Sequence, residues 1–212
     1  MLQEFNYEQR SEEWLEARKT IMSASMAKTL MGARGLGATG KNYIIETALQ
    51  SIETYTEESY ISQAMQDGID REPIAVKKYS SDNFVEVNTT GFLVRTAIID
   101  GLECKFGCSP DGLIGEYGGL EVKCPENKKH KFNLLANECP KEYYDQIQAC
   151  LWVTGRDWWD FVSYSPNFQE EFKTKTIRVT PDSKWVEKFQ DRLIEATTII
   201  NESIEKLSCL KK

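Results

Sequence analysis

The feature that most restricts the fold of this chain is a change of hydrophobic period near residue 84. Upstream, Ile61, Met65, Ile69, Ala75, Val76 and Tyr79 recur at helical spacing and predict a helix over Glu58–Tyr79. Pro73 should kink or restart it. Downstream come five short, turn-bounded segments that read as strands: Phe84 to Val87, Gly91 to Arg95, Cys104 to Cys108, Gly112 to Gly115 and Leu120 to Cys124. The helical period returns over Tyr143–Val153. Two further strands are predicted at Trp158–Tyr164 and Phe172–Val179. Val186, Phe189, Leu193, Ala196, Ile200, Ile204 and Leu207 then mark one long amphipathic helix, opened by Thr180-Pro181-Asp182 as a cap with Pro at the first helical position. Three heptads suit a packing helix better than a coiled coil. This order predicts one α/β domain over 1–212, a mixed central β-sheet flanked by helices with a long C-terminal helix. Its N-terminal helical part spans about 1–80, its core about 81–180 and its last helix about 181–209.

Shorter signals fill the N-terminal part. Ser11-Glu-Glu-Trp14 is a helix start, a capping hydroxyl followed by acids in the first turn. Ser23-Ala-Ser25 opens a second short helical run that Gly32 ends, and Tyr43–Ile52 reads as a helix. Between them Ala33–Lys41 is Gly-rich and basic and reads as a mobile loop. It is not a phosphate loop, because the GxxxxGK[ST] spacing is missing and Asn42 follows the Lys.

The 33 acidic against 26 basic residues give a net charge of −7, which argues against simple electrostatic binding of nucleic acid. The distribution is uneven. Ala17 to Ile45 holds Arg18, Lys19, Lys28, Arg34 and Lys41 and no acid, whereas Glu46 to Glu72 is acidic apart from Arg71. A second basic run, Lys128, Lys129, His130 and Lys131, lies in a predicted loop. Such asymmetry suits an anion-binding face on an acidic body, or a solvated surface with chance clustering. No window of about 18 apolar residues predicts a membrane span, and no apolar signal segment opens the chain. The six cysteines are therefore expected as thiols in a reducing compartment.

The densest chemical signal is Ser109-Pro110-Asp111-Gly112-Leu113 followed by Gly118-Gly119-Leu120-Glu121-Val122-Lys123-Cys124-Pro125. Glu121 and Lys123 share one face of a predicted strand. A hairpin turning at Gly115–Gly119 would bring Asp111 beside Glu121. Two carboxylates that close repel unless a cation or a proton separates them, and a hard, oxygen-seeking cation such as Mg²⁺ fits the pair. A lysine beside them can orient a water. This is a layout for metal-assisted phosphodiester hydrolysis. The same residues also fit an ordinary strand ion pair and an ordinary Pro-Asp-Gly turn. Glu72 adds a third acid on a helix, or is a surface glutamate. Gln146 either bonds substrate or water, or is an exposed helical amide. The cysteines and the single His130 form no zinc or iron–sulfur set, a His130-based nucleophile is discounted, and Trp152, Trp158 and Trp159 read as core.

Together these pieces resemble the phage λ exonuclease and YqaJ-type viral recombinases of the PD-(D/E)XK nuclease superfamily. The matching stretches run in order: QRSEEWLEARKTIMSAS, the Gly68–Glu72 helix, CSPDGL, GGLEVKCP, then YDQIQACLWVTG and WWDFVSYSP. The resemblance implies a restriction-endonuclease-like core. It implies a Mg²⁺-dependent 5′→3′ exonuclease on linear duplex DNA that releases 5′-mononucleotides and leaves 3′ overhangs for a single-strand annealing protein. Two Mg²⁺ ions are implied, with Mn²⁺ able to replace them. Asp111, Glu121 and the Val122 carbonyl would be metal ligands, Lys123 the water-activating lysine, Glu72 an auxiliary acid and Gln146 the motif glutamine. Arg18, Ser25 and Ser109 would hold the 5′-phosphate. A homotrimeric ring around DNA and a phage or prophage origin in the bacterial cytoplasm are implied as well. The rival readings are another nuclease of the superfamily, either an endonuclease or a single-strand exonuclease, and a non-catalytic DNA-end-binding recombination protein. The Ala33–Lys41 loop receives no strand-separating residue from this resemblance.

Overall fold

Capping chemistry sets the first helices of the computed structural model, which describes residues 1–54 and 62–210. The Ser11 hydroxyl accepts the Trp14 N–H at 3.2 Å and starts α1 (Glu12–Arg18), with Glu12 and Glu13 in its first turn. A 3-10 turn (Ala24–Met26) and α2 (Ala27–Leu30) follow Ser23 and stop before Gly32. Helix α3 (Ala38–Leu49) begins inside the segment expected as a loop. Gly40 explains the early start: a Cβ there would lie 2.5 Å from the Thr29 carbonyl oxygen, so only glycine lets this turn lie against α2. A 3-10 turn, Gln50–Ile52, ends this run.

Ser62 caps α4 (Gln63–Asn83), which continues through Pro73 instead of restarting there. Burial of Ala75 and Tyr79 beyond the proline holds the second half in place. The expected start of this helix at Glu58, and Ile61, lie outside the described residues. Phe84 ends α4 in a left-handed conformation (φ 53°), so Phe84 to Val87 is not a strand. Only Asn88, just beyond, pairs with Leu113 in an isolated bridge.

The strands form two sheets. In the first, β2 (Phe92–Ile99) pairs antiparallel with β1 (Leu2–Phe5) and with β3 (Leu102–Cys108). The mixed sheet has the order β4 (Gly112–Ile114), β5 (Gly118–Lys123), β6 (Trp158–Tyr164), β7 (Thr174–Val179), with β5 and β6 parallel and the other pairs antiparallel. The expected strand from Phe172 starts at Thr174, because Glu170–Phe172 is a 3-10 turn. A parallel pair needs a crossover. Here it is α5 (Asn127–Leu135) and α6 (Lys141–Thr154). The basic run with His130 thus lies on a helix, not in a loop. His130 is buried, its ring nitrogens 2.9 Å from Ser163 Oγ and 2.8 Å from the Phe172 carbonyl.

The cap of α7 (Ser183–Leu210) is Asp182, not Thr180, so Pro181 lies outside the helix. The Asp182 carboxylate accepts the N–H groups of Lys184 and Trp185 at 3.0 and 3.2 Å.

The mixed sheet is buried on both faces. Leu120, Val122, Val162 and Tyr164 meet Ala75 and Tyr79 of α4 on one side. Trp159 and Phe161 face the larger cluster with Ile147, Leu151, Trp185 and Phe189 on the other. Gly119 is required: a Cβ would lie 2.2 Å from the Trp159 ring. The period-2 alternation along β5 therefore turns Glu121 toward α6.

Candidate active site

Gly112 pairs with Leu120, which places Asp111 opposite Glu121 at the open end of the β4–β5 hairpin. Asp111 Oδ2 accepts the Val122 N–H at 2.6 Å. Glu121 is 1% exposed. Its Oε1 accepts from Lys123 Nζ at 2.5 Å and from Gln146 Nε2 at 2.6 Å, while its Oε2 is buried with no hydrogen-bond partner. Glu72 arrives from α4, its Oε2 3.5 Å from Arg10 Nη2. The hairpin, α4 and α6 thus bring together all five side chains expected around a metal: Asp111, Glu121, Lys123, Glu72 and Gln146.

The electrostatics are those of an under-neutralised acidic cluster. Withdrawal from water and then the charge of Glu121 push the Asp111 carboxyl well above its ordinary range. Burial likewise raises Glu72, with Glu121 adding to it and Arg10 and Lys123 opposing. Burial alone would lower the Lys123 ammonium, but Glu121 and Asp111 outweigh it and the net shift is upward. Lys123 is therefore a firmly held cation.

Among the described residues no three His, Cys, Asp or Glu side chains form a ready-made metal cluster. The set nevertheless fits a hard cation. Glu121 Oε2 is a buried acceptor with no hydrogen-bond partner of its own, and Asp111 adds a second carboxylate. Val122 gives its N–H to Asp111, and within a strand the N–H and C=O of one residue face the same edge, so its carbonyl lies on that side too.

The expected phosphate residues also converge. Arg18 Nη1 donates to Ser109 Oγ at 3.1 Å and Nη2 to Ser23 Oγ at 3.0 Å. Ser23 Oγ is 3.3 Å from Ser25 Oγ, and Ser25 is exposed. The guanidinium lies 4.2 Å over the Trp14 ring and 5.0 Å from that of Phe92, while Trp14 Nε1 donates to Ser109 Oγ at 3.1 Å. Burial lowers the Arg18 pKa, yet the group stays a cation. A cavity of about 180 Å³ is lined by Arg18, Ser23, Ser25, Ser109, Arg10 and Gln146. Gln146 thus lines the phosphate-sized pocket and also bonds the carboxylate of Glu121.

Sequence reasoning missed Ser23, Trp14 and Arg10. Trp14 lies four residues before Arg18 on α1, a spacing that puts both on one helix face and was available as a signal. Ser23, an uncommitted serine beside Ser25, had none.

A family model describing a YqaJ-like viral recombinase domain matches residues 13–157. The chain belongs to this family. Every expected site residue, from Arg18 to Gln146, lies inside the matched span. Gln9, Arg10 and α7 lie outside it. The structure is similar to that of an alkaline exonuclease (LHK-Exo) from Laribacter hongkongensis, with a TM-score of 0.83 and 29% identity over 95% of this chain and 98% of that one. It matches the same enzyme in complex with dAMP at a TM-score of 0.82, with the same identity and coverage. A phage related exonuclease from Haemophilus somnus 129PT shares the fold, with a TM-score of 0.63 and 14% identity over 88% and 96% of the two chains. No curated protein sequence matches. This YqaJ-family chain thus has the fold of the alkaline exonuclease, and among its described residues no helix is long and apolar enough to cross a membrane.

Proposed function

We propose that the chain is a Mg²⁺-dependent 5′→3′ exonuclease, a phosphodiester hydrolase of PD-(D/E)XK type that removes 5′-mononucleotides from linear duplex DNA. One observation carries the reading: Gln146 belongs both to the Arg18–serine pocket and to the Glu121 carboxylate. An anion site sharing a wall with a hydrolytic cluster measures off one nucleotide, as release of mononucleotides requires. Binding of dAMP by the related alkaline exonuclease supports a mononucleotide product.

Arg18 holds the terminal phosphate through charge-assisted hydrogen bonds, with Ser109 and Ser25 beside it. Asp111, Glu121 and the Val122 carbonyl are the residues to hold Mg²⁺, as two ions with Glu72 alongside and Mn²⁺ able to substitute. The metal, when bound, polarises the phosphoryl group and lowers the pKa of water. Lys123 donates from its fixed ammonium and orients the attacking water. Gln146 fixes the Glu121 carboxylate in one rotamer. Ring-shaped homotrimers, delivery of 3′ overhangs to a single-strand annealing protein and residence in the bacterial cytoplasm complete the proposal. An acidic body with a local cationic pocket reconciles a net charge of −7 with DNA.

Incubating 5′-phosphorylated linear duplex with and without Mg²⁺ and sizing the products tests this. Mononucleotides only with Mg²⁺, and persistence of a covalently closed circle, are expected. A linearised or fragmented circle indicates an endonuclease instead. Release of no acid-soluble nucleotide indicates a binding protein.

A further inference from the structure

Arg10 is a cation that the mechanism above leaves unused. A turn closed by the Ser11 N–H on the Glu8 carbonyl at 3.0 Å places Arg10 at φ 75°. That left-handed backbone is the natural place of glycine, and any side chain there is strained. The turn is held from both sides. Gln9 Nε2 donates to the Pro110 carbonyl at 2.9 Å and contacts the Thr90 carbonyl at 3.3 Å, and Ser11 caps α1. Glycine would make the same turn freely, so what arginine adds is its guanidinium.

That guanidinium is 52% exposed and is held by one ion pair, 3.5 Å long, to Glu72. Arg10 lines two cavities. One, of about 620 Å³, has Glu72 and Asp111 in its wall, and the other is the smaller Arg18–serine pocket. A phosphodiester entering the first cavity meets the carboxylates that hold the metal, and a cation at its rim offsets their repulsion. The planar guanidinium suits two phosphate oxygens at once.

We propose that Arg10 binds the scissile phosphodiester, one nucleotide inward from the terminal phosphate on Arg18, and rests on Glu72 when DNA is absent. The inference rests on the exonuclease reading and adds to it a second phosphate contact, in the cavity walled by Glu72 and Asp111.

The test is binding of short linear duplexes, 5′-phosphorylated and 5′-hydroxyl, in EDTA across a KCl series. For Arg10→Gly the slope of log affinity against log salt falls by about 0.9, one phosphate contact. Affinity for both duplexes at low salt falls by the same factor, about tenfold. The melting temperature stays within about 3 °C of wild type, because the turn prefers glycine. Arg10→Lys keeps the slope and binds more weakly, and it serves as the second variant should the glycine substitution fold poorly. Arg18→Ala loses the preference for the phosphorylated end. An unchanged slope in Arg10→Gly overturns the proposal. So does a loss confined to the phosphorylated duplex, which would give Arg10 to the terminal phosphate. If wild type releases no nucleotide with Mg²⁺, the exonuclease reading fails. If it degrades DNA while the Arg10 variants bind as wild type does, only the Arg10 assignment fails.

Discussion

Lys123 keeps its charge in a partly buried site because two carboxylates face it, and that decides what it can do. An ammonium held 2.5 Å from Glu121 has donors and no acceptor, so in the proposed mechanism it orients a water and does not take its proton. Lys123→Ala should therefore lower nucleotide release by roughly 10²- to 10⁴-fold. Binding of linear duplex in a mobility-shift assay should be retained. Nucleotide release at the wild-type rate would remove Lys123 from the chemistry. Glu121 allows a test independent of turnover. Its unpartnered Oε2 predicts that Mg²⁺ stabilises the folded chain, by mass action, and raises the melting temperature. The isosteric Glu121→Gln should abolish that rise; because it also breaks the ion pair to Lys123, the Mg²⁺ shift is read against the variant's own metal-free melting temperature. A Mg²⁺-dependent shift in Glu121→Gln equal to that of wild type would exclude Glu121 as a ligand.

Polar groups tie down one helix and set the start of another. Helix α5 has no apolar face to dock, so buried His130 and Asn133, both bonded to Ser163, tie it to β6. Helix α7 begins where Asp182 accepts two backbone N–H groups. The Trp185 N–H and then the Tyr144 hydroxyl hold the Asp182 carboxyl below its ordinary value. A depressed carboxyl stabilises the fold above its unfolded pKa, near 4, and that contribution disappears as pH falls through the folded value. Asp182→Ala should cost about 1 kcal/mol at neutral pH. The gap in melting temperature between variant and wild type should close as the medium is acidified below about pH 4. A gap that persists in acid would show that packing, not the cap charge, sets the helix start.

At the scale of the whole molecule, α7 is covered only part of the way. Its buried residues are Trp185, Phe189, Leu193, Ala196 and Thr197, whereas Ile204 and Leu210 are exposed. The proposed ring predicts a light-scattering mass three times 24.3 kDa. A mass of one chain at every concentration tested would remove the trimer. Charge also acts at this scale. With a net charge of −7 the chain offers DNA little non-specific attraction, so binding should depend on the cations of the end pocket.

Where consecutive residues carry the information, the sequence alone was sufficient. The strand Gly118–Lys123 fixes Glu121 and Lys123 on one face by its period of two, and the tight hairpin leaves Asp111 no place but opposite Glu121. Most of the long helices, the strands of the mixed sheet and the placing of Asp111 by Glu121 were readable before any coordinates, and the run of motifs pointed to the family. Elements without a periodic apolar face were not: β1, α5 and the first turn of α3 exist because distant atoms receive them. The division into two sheets depended on tertiary contacts as well. So did the company kept by Arg18, since Ser109 stands 91 residues away and Trp14 and Phe92 close on the guanidinium from two different elements. Arg10 makes the same point. Its strained turn is held by a glutamine that grips a carbonyl 101 residues along the chain, and only folding brings those two groups together.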